Sequence, residues 1–165
     1  MGRYRPPQPK SSPYITSDGY AALEVEMKTL WERRAVVAKA VSVAAAEGDR
    51  SENAEYIYRK KELREIDRRI RYLQKRLPDL TVVSVGPTDP DRIFFGAYVV
   101  LEDEAGEEHR YRIVGPDEFD PQKGWISMDS PMAHALMKKT FDDEVSVSTP
   151  NGEHQYCVID IHYEA

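Results

Sequence analysis

The chain has little that would hold it together covalently or carry it into a bilayer. One cysteine, Cys157, stands among 165 residues, which rules out an intramolecular disulfide framework and points to a cytoplasmic protein. Long hydrophobic runs are missing as well. The longest mostly apolar stretch, Ala35 to Ala46, is interrupted by Lys39 and Ser42 and falls short of the ~20 apolar residues that span a membrane. The amino terminus lacks the hydrophobic core of a signal peptide. There is no phosphate loop, nucleophile motif or dinucleotide fingerprint. The histidines give no metal pattern either. His154 and Cys157 lie an odd number of positions apart, so in a strand they face opposite ways, and His109, His134 and His162 share no ligand spacing. Neither a complete active site nor a stably bound cofactor is expected in this chain.

Charge, by contrast, is abundant and unevenly placed. With 41% hydrophobic and 32% charged residues, the composition suits a soluble protein of one or two domains with an extended, solvated part. The net charge of -6 divides sharply after Pro78: residues 1–78 carry 17 Lys and Arg against 11 Asp and Glu, and residues 79–165 carry 6 against 18. A basic element joined to an acidic one is expected to approach a polyanion, or a negatively charged channel, with its basic end. Coiled coils also carry such charges simply for solubility.

Residues 1–13 are polar, hold four of the eleven prolines, and read as a disordered tail. Thr16 or Ser17 can cap a helix whose dipole Asp18 complements. Tyr20, Leu23, Met27, Leu30, Val37, Val41 and Ala44 then recur at steps of three and four, with Arg34 where an apolar residue would fall. Tyr56, Leu63, Ile66, Ile70, Leu73 and Leu77 repeat the rhythm, with Arg59 off the pattern. Such seams, separated by a few residues, predict an antiparallel coiled-coil hairpin over 14–78, each helix roughly 40 to 45 Å long. The first helix should end near Glu47, with Gly48 closing it. The second should run from about Ser51 to Leu77, where Pro78 stops it.

Beyond Pro78 the period changes to two. β-branched and aromatic runs at Leu80–Val85, Ile93–Leu101, His109–Val114, Trp125–Met128, Glu144–Ser148 and Gln155–Tyr163 predict an antiparallel β-rich domain over 79–165. One short helix interrupts it, with Ser130 as cap and Pro131 at its first position. The fold class is thus α+β: a helical hairpin followed by a sheet with one helix on a face.

At the turn between the helices stands Gly48-Asp49-Arg50-Ser51-Glu52-Asn53-Ala54-Glu55-Tyr56. Asp49 and Glu52, three apart, suit the first turn of the second helix and make an acidic tip, supported by Ser51, Asn53 and Tyr56. The same spacing fits a helix cap, and the two roles can coexist. Below the tip, Lys60, Arg64, Arg68, Arg71 and Lys75 form a stripe off the seam, within nine Lys and Arg between Arg59 and Arg76. The stripe suits RNA phosphates. It also suits a solvated face partly neutralised by Glu62, Glu65 and Asp67. Tyr56 and Tyr58 can stack on a base, although Tyr56 also fits the seam.

These residues resemble the bacterial transcript cleavage factors GreA and GreB. The likeness runs from Tyr14-Ile15-Thr16 through the nine-residue turn and Leu63-Arg64-Glu65-Ile66-Asp67-Arg68-Arg69 to Ile126-Ser127-Met128-Asp129-Ser130-Pro131-Met132-Ala133. The densely basic second helix favours the GreB branch. The resemblance implies a coiled coil that enters the secondary channel of bacterial RNA polymerase and an FKBP-like domain that docks on its rim through Asp129, Ser130, Pro131 and Met132. It implies a factor that is not itself an enzyme, is monomeric, works in the DNA-bound transcription complex, and stimulates the polymerase's cleavage of backtracked RNA. Asp49 and Glu52 would hold Mg2+ shared with the polymerase, because two exposed carboxylates make a poor magnesium site alone. Arg59, Lys60, Lys61, Arg64 and Arg68 would contact the nascent RNA 3' end. A channel-binding regulator that does not stimulate cleavage is the alternative, and prolyl isomerisation by the second half rests on fold analogy alone. Two departures from the family pattern touch docking: His134 stands where Arg is usual, and Asp142-Asp143-Glu144 replaces a more usual Gly-Asp.

Overall fold

The computed structural model describes residues 10–47, 53–84 and 86–164. It divides into two units, one spanning Asp18–Leu80 and the other joining the chain up to Ser17 with the chain from Thr81 onward.

The first unit is the helical hairpin. Helix α1 runs Ser17–Ala46 and helix α2 runs Ala54–Asp79. Their apolar positions interlock: Val37, Ile66 and Ile70 are buried together, with Met27, Leu30, Val41 and Leu63 packed around them. Leu23, Ala44 and Leu73 are buried as the seam requires. Ion pairs confirm the antiparallel sense, since Glu26 meets Arg69 at 2.8 Å near one end while Arg33 meets Glu62 at 2.8 Å further along.

Both ends of α2 differ from expectation. The helix starts at Ala54 rather than Ser51, because Asn53, in an extended conformation, is its cap. At the other end Pro78 lies inside the helix, which continues to Asp79. In the final turn a proline forfeits one N–H bond while its fixed φ suits the helix, so termination falls to Leu80, whose N–H returns to the Leu77 carbonyl at 3.3 Å.

The second unit is a sheet with strand order β5 (Trp125–Ser127), β4 (Glu108–Val114), β3 (Tyr98–Asp103), β7 (Gly152–His162) and β6 (Glu144–Thr149), and a separate two-stranded pair. The pair joins β1 (Tyr14–Thr16) to β2 (Thr81–Val83) in parallel. Residues read as the start of the helical part therefore belong to the sheet unit. Even Ser12 and Pro13, assigned to a disordered tail, are engaged: Ser12 donates to Asp129, and the Pro13 carbonyl accepts the Thr81 N–H at 2.7 Å.

Strands β3 (Tyr98–Asp103), β4 (Glu108–Val114), β6 (Glu144–Thr149) and β7 (Gly152–His162) pair antiparallel. The run expected from Ile93 begins five residues later, since Gly96 at φ +87° breaks its extended course. Strand β5 (Trp125–Ser127) departs from the all-antiparallel expectation by joining β4 in parallel. The connection 115–124 carries two 3-10 turns and brings the chain back beside β4 in the same direction. Helix α3 (Pro131–Leu136) covers one face. Beneath it lies a core of Ile93, Ala97, Val99, Leu101, Ile113, Val145 and Val158 with Ala133 and Leu136 from the helix.

Candidate functional site

At the tip end of the hairpin, one side chain ties the two helices together. The Asn53 carboxamide oxygen accepts the Tyr56 N–H at 3.1 Å, satisfying a first-turn donor of α2. Its amide nitrogen donates to the Ala44 carbonyl at 2.8 Å in the last turn of α1, a carbonyl that the Glu47 N–H also reaches at 3.3 Å. A single residue thus caps one helix and closes the other. Tyr56 is half-buried, and its ring carries the Lys60 ammonium at 5.4 Å. Asp49, Ser51 and Glu52 lie outside the described residues.

The seam's two misplaced arginines find carboxylates. Arg34 bonds Asp67 across the hairpin at 2.6 Å, and Arg59 bonds Glu55 at 2.9 Å and Glu62 at 3.1 Å within α2. Arg33 takes the other side of Glu62. These contacts, Arg33 foremost, hold the Glu62 carboxyl below its ordinary value. Two of the three acids expected to neutralise the α2 stripe, Glu62 and Asp67, are therefore occupied by arginines outside it. Lys60, Lys61, Arg64, Arg68, Arg71 and Lys75 are all exposed, and no ion pair engages them among the described residues. Arg64 and Arg71 border a groove whose opposite wall carries Trp31, itself 47% exposed. Arg59 is the member of the expected set already committed to carboxylates, a distinction its residue type alone could not reveal.

In the second unit, Ser130 caps α3 by accepting the Ala133 N–H at 3.1 Å, with Pro131 next in the helix. Asp129 is exposed and accepts the Ser12 N–H at 2.9 Å and the Ser12 hydroxyl. Met132 is half-buried against the core, so part of its surface is already used. His134 is exposed on α3. Asp142 adopts φ +70°, the left-handed region glycine occupies most easily. Asp142 thus places a side chain where the backbone disfavours one.

The structure also assembles a group that spacing did not suggest. In the β3–β4 hairpin, ligand-type atoms of Asp103, Glu107 and His109 lie within 4.8 Å of one another. His109 Nε2 sits 2.8 Å from Asp103 Oδ2, and this contact is the main cause of a lowered Asp103 pKa. The signal was present as Asp-x-x-x-Glu-x-His across a Gly-containing turn, legible only once that turn is known to fold the strand back on itself.

An antiparallel helical hairpin with an exposed basic stripe, joined to a mostly antiparallel sheet covered by one short helix, is a two-unit architecture. Comparison with known proteins specifies it further. The family model described as "Transcription elongation factor, N-terminal" matches residues 13–82, and that described as "Transcription elongation factor, GreA/GreB, C-term" matches residues 87–163. The transcription elongation factor GreB of Xanthomonas axonopodis pv. citri is 57% identical over 165 residues, covering 99% of this chain and 98% of that protein. GreB of Pseudomonas aeruginosa is 58% identical over 164 residues, with the same coverages. A crystal structure of GreA factor homolog 1 of Thermus thermophilus aligns at 27% identity over 90% of this chain and 97% of its own, with a TM-score of 0.42. The chain belongs to the GreA/GreB family of transcription elongation factors. No helix among the described residues is long and apolar enough to cross a membrane.

Proposed function

We propose that this protein is a cytoplasmic, monomeric accessory factor of bacterial RNA polymerase that stimulates the polymerase's own endonucleolytic cleavage of backtracked RNA. The observation carrying the reading is full-length similarity to proteins named transcription elongation factor GreB, in a chain that sets an acidic turn above a basic helix face. The hairpin enters the secondary channel tip first. Lys60, Lys61, Arg64 and Arg68 attract the phosphates of the displaced RNA 3' segment, aided by their exposure and by the commitment of Glu62 and Asp67 to arginines outside the stripe. Arg59, held by Glu55 and Glu62, keeps the base of the tip in place and meets RNA only at its edge. The surface around Asp129, Ser130 and Pro131 docks on the polymerase.

Asp49 and Glu52 offer hard oxygen donors, which suit Mg2+, but two carboxylates leave most of its coordination sphere to the polymerase and the RNA phosphate. Held in part by Asp49 and Glu52, the ion would supply a water of lowered pKa and charge stabilisation at the attacked phosphate. Asp49 and Glu52 orient the incoming water, and one of them accepts its proton. The protein is a donor of side chains, with no turnover of its own.

The test is cleavage of radiolabelled nascent RNA in a stalled, backtracked polymerase complex, comparing the native chain with Asp49→Asn and Glu52→Gln at equal polymerase occupancy. Release of 3' fragments by the native protein alone is the expected result. Equal binding by all three without faster cleavage would instead identify a channel-occupying regulator whose carboxylates only cap the helix.

A further inference from the structure

We propose that the β3–β4 hairpin of the second unit binds a divalent transition metal, with Zn2+ the best fit, through Asp103, Glu107 and His109. Their donor atoms already lie within 4.8 Å of one another. In a tetrahedral zinc site, donors sit roughly 3.4 Å apart, given metal–ligand distances of about 2.1 Å. Closing the cluster onto an ion therefore needs only side-chain adjustment.

The turn prepares these donors. Gly106 at φ +80° closes a tight loop in which the Asp103 N–H bonds the Glu107 carbonyl at 2.9 Å. Asp103 Oδ1 accepts the Ala105 and Glu107 N–H groups, each at 2.9 Å. One carboxylate oxygen is thereby anchored to the backbone, and the other is presented to the His109 imidazole at 2.8 Å. A ligand oriented this way loses little freedom when it binds an ion.

The surroundings favour a cation independently of the three donors. Strand register places Asp103 opposite Tyr156, and His154 lies two residues from Tyr156 on the same strand, so all three share one face with His109. The cleft beside the hairpin is bordered by His154, Glu104 and Glu153 and by no Lys or Arg. It adds the His154 imidazole and the Glu104 carboxylate to the three donors, whereas the Glu153 carboxylate is taken by the Ser146 hydroxyl. Imidazole with carboxylate selects Zn2+ and its neighbours over Mg2+, which prefers oxygen alone. The site is thus chemically distinct from the carboxylate-only tip of the hairpin.

The experiment is titration of the full-length, untagged chain with Zn2+ after chelator treatment, by calorimetry, with imidazole nitrogen NMR as a second readout. The protein carries Asp49→Asn and Glu52→Gln throughout, so that the tip contributes no sites. One equivalent of Zn2+ is expected to bind, shifting the His109 ring first, with millimolar Mg2+ unable to displace it. His109→Gln should weaken binding at least about ten-fold, and Glu107→Gln, which leaves the Asp103 backbone bonds intact, should weaken it measurably. His162→Gln should leave it unchanged. Absence of saturable binding, or equal affinity in His109→Gln, would overturn the proposal.

Discussion

Thr16 and Glu118, 102 residues apart, share one buried set of hydrogen bonds. The Glu118 carboxylate accepts the Thr16 N–H at 3.1 Å and the Thr16 hydroxyl, and it also takes the Gly115 N–H at 2.8 Å. Glu118 is only 9% exposed, and these donors stand in for water. Strand β1 is three residues long, too short to persist on its own ladder, so this carboxylate is a principal anchor. Glu118→Ala strands the donors and should lower the unfolding free energy of the sheet unit by ~2–4 kcal/mol, and Thr16→Val by ~1–2 kcal/mol, in urea titration. Gly115→Ala should be damaging too, because an added Cβ would run into the Tyr14 carbonyl oxygen.

The helical hairpin depends on its seam. Leu73 is fully buried, so Leu73→Ala should destabilise the hairpin by ~2–5 kcal/mol. Arg34→Ala removes a partly exposed, solvent-screened cross-helix pair and should cost far less than Leu73→Ala. Helicity followed through denaturant titration separates the two, and a loss below ~0.5 kcal/mol for Leu73→Ala would contradict its place in the interface.

Asp142 offers a stabilising change. With φ at +70°, its backbone sits where a Cβ is disfavoured, and Asp142→Gly should raise stability by ~0.5–1 kcal/mol despite the entropy glycine adds to the unfolded chain. Asp142→Val should lower it, because a β-branched residue tolerates that region least. Thermal unfolding of the two variants should therefore move in opposite directions from native.

Acid should weaken the hairpin through Glu62. Arg33 first, then Arg59, hold its carboxyl below the ordinary value. A depressed folded pKa adds stability that is fully present above the unfolded carboxylate pKa of about 4.3 and is lost as pH falls through the lower folded value. The stability gap between native protein and Glu62→Gln should thus be constant at neutral pH and close only in the acid range. A gap that widens on acidification would contradict the pairing.

Much of this architecture was readable in advance. The three-four spacing from Leu23 to Ala44 and from Leu63 to Leu77 announced two helices, and the motif Ser130-Pro131 announced the short third one. The acidic turn and basic helix face were visible as residue types at set intervals. The ends of elements were less legible. The second helix, expected from about Ser51, begins at Ala54 because Asn53 caps it, accepting from Tyr56 while donating to Ala44. Pro78 failed to stop α2 because it falls in the last turn, where one missing donor matters little.

The sequence by itself determined what neighbours along the chain decide: helical period, strand alternation, caps and the division of charge. These follow from contacts between residues two, three or four apart, which any short stretch displays in full. Only the tertiary structure decided which distant segments meet. It placed Tyr14–Thr16 beside Thr81–Val83, ran β5 parallel to β4, gave Asp67 to Arg34 and brought Glu118 to Thr16. Such partners are chosen by burial and hydrogen-bond satisfaction across long loops, where many pairings satisfy the local pattern equally and only the assembled core selects among them.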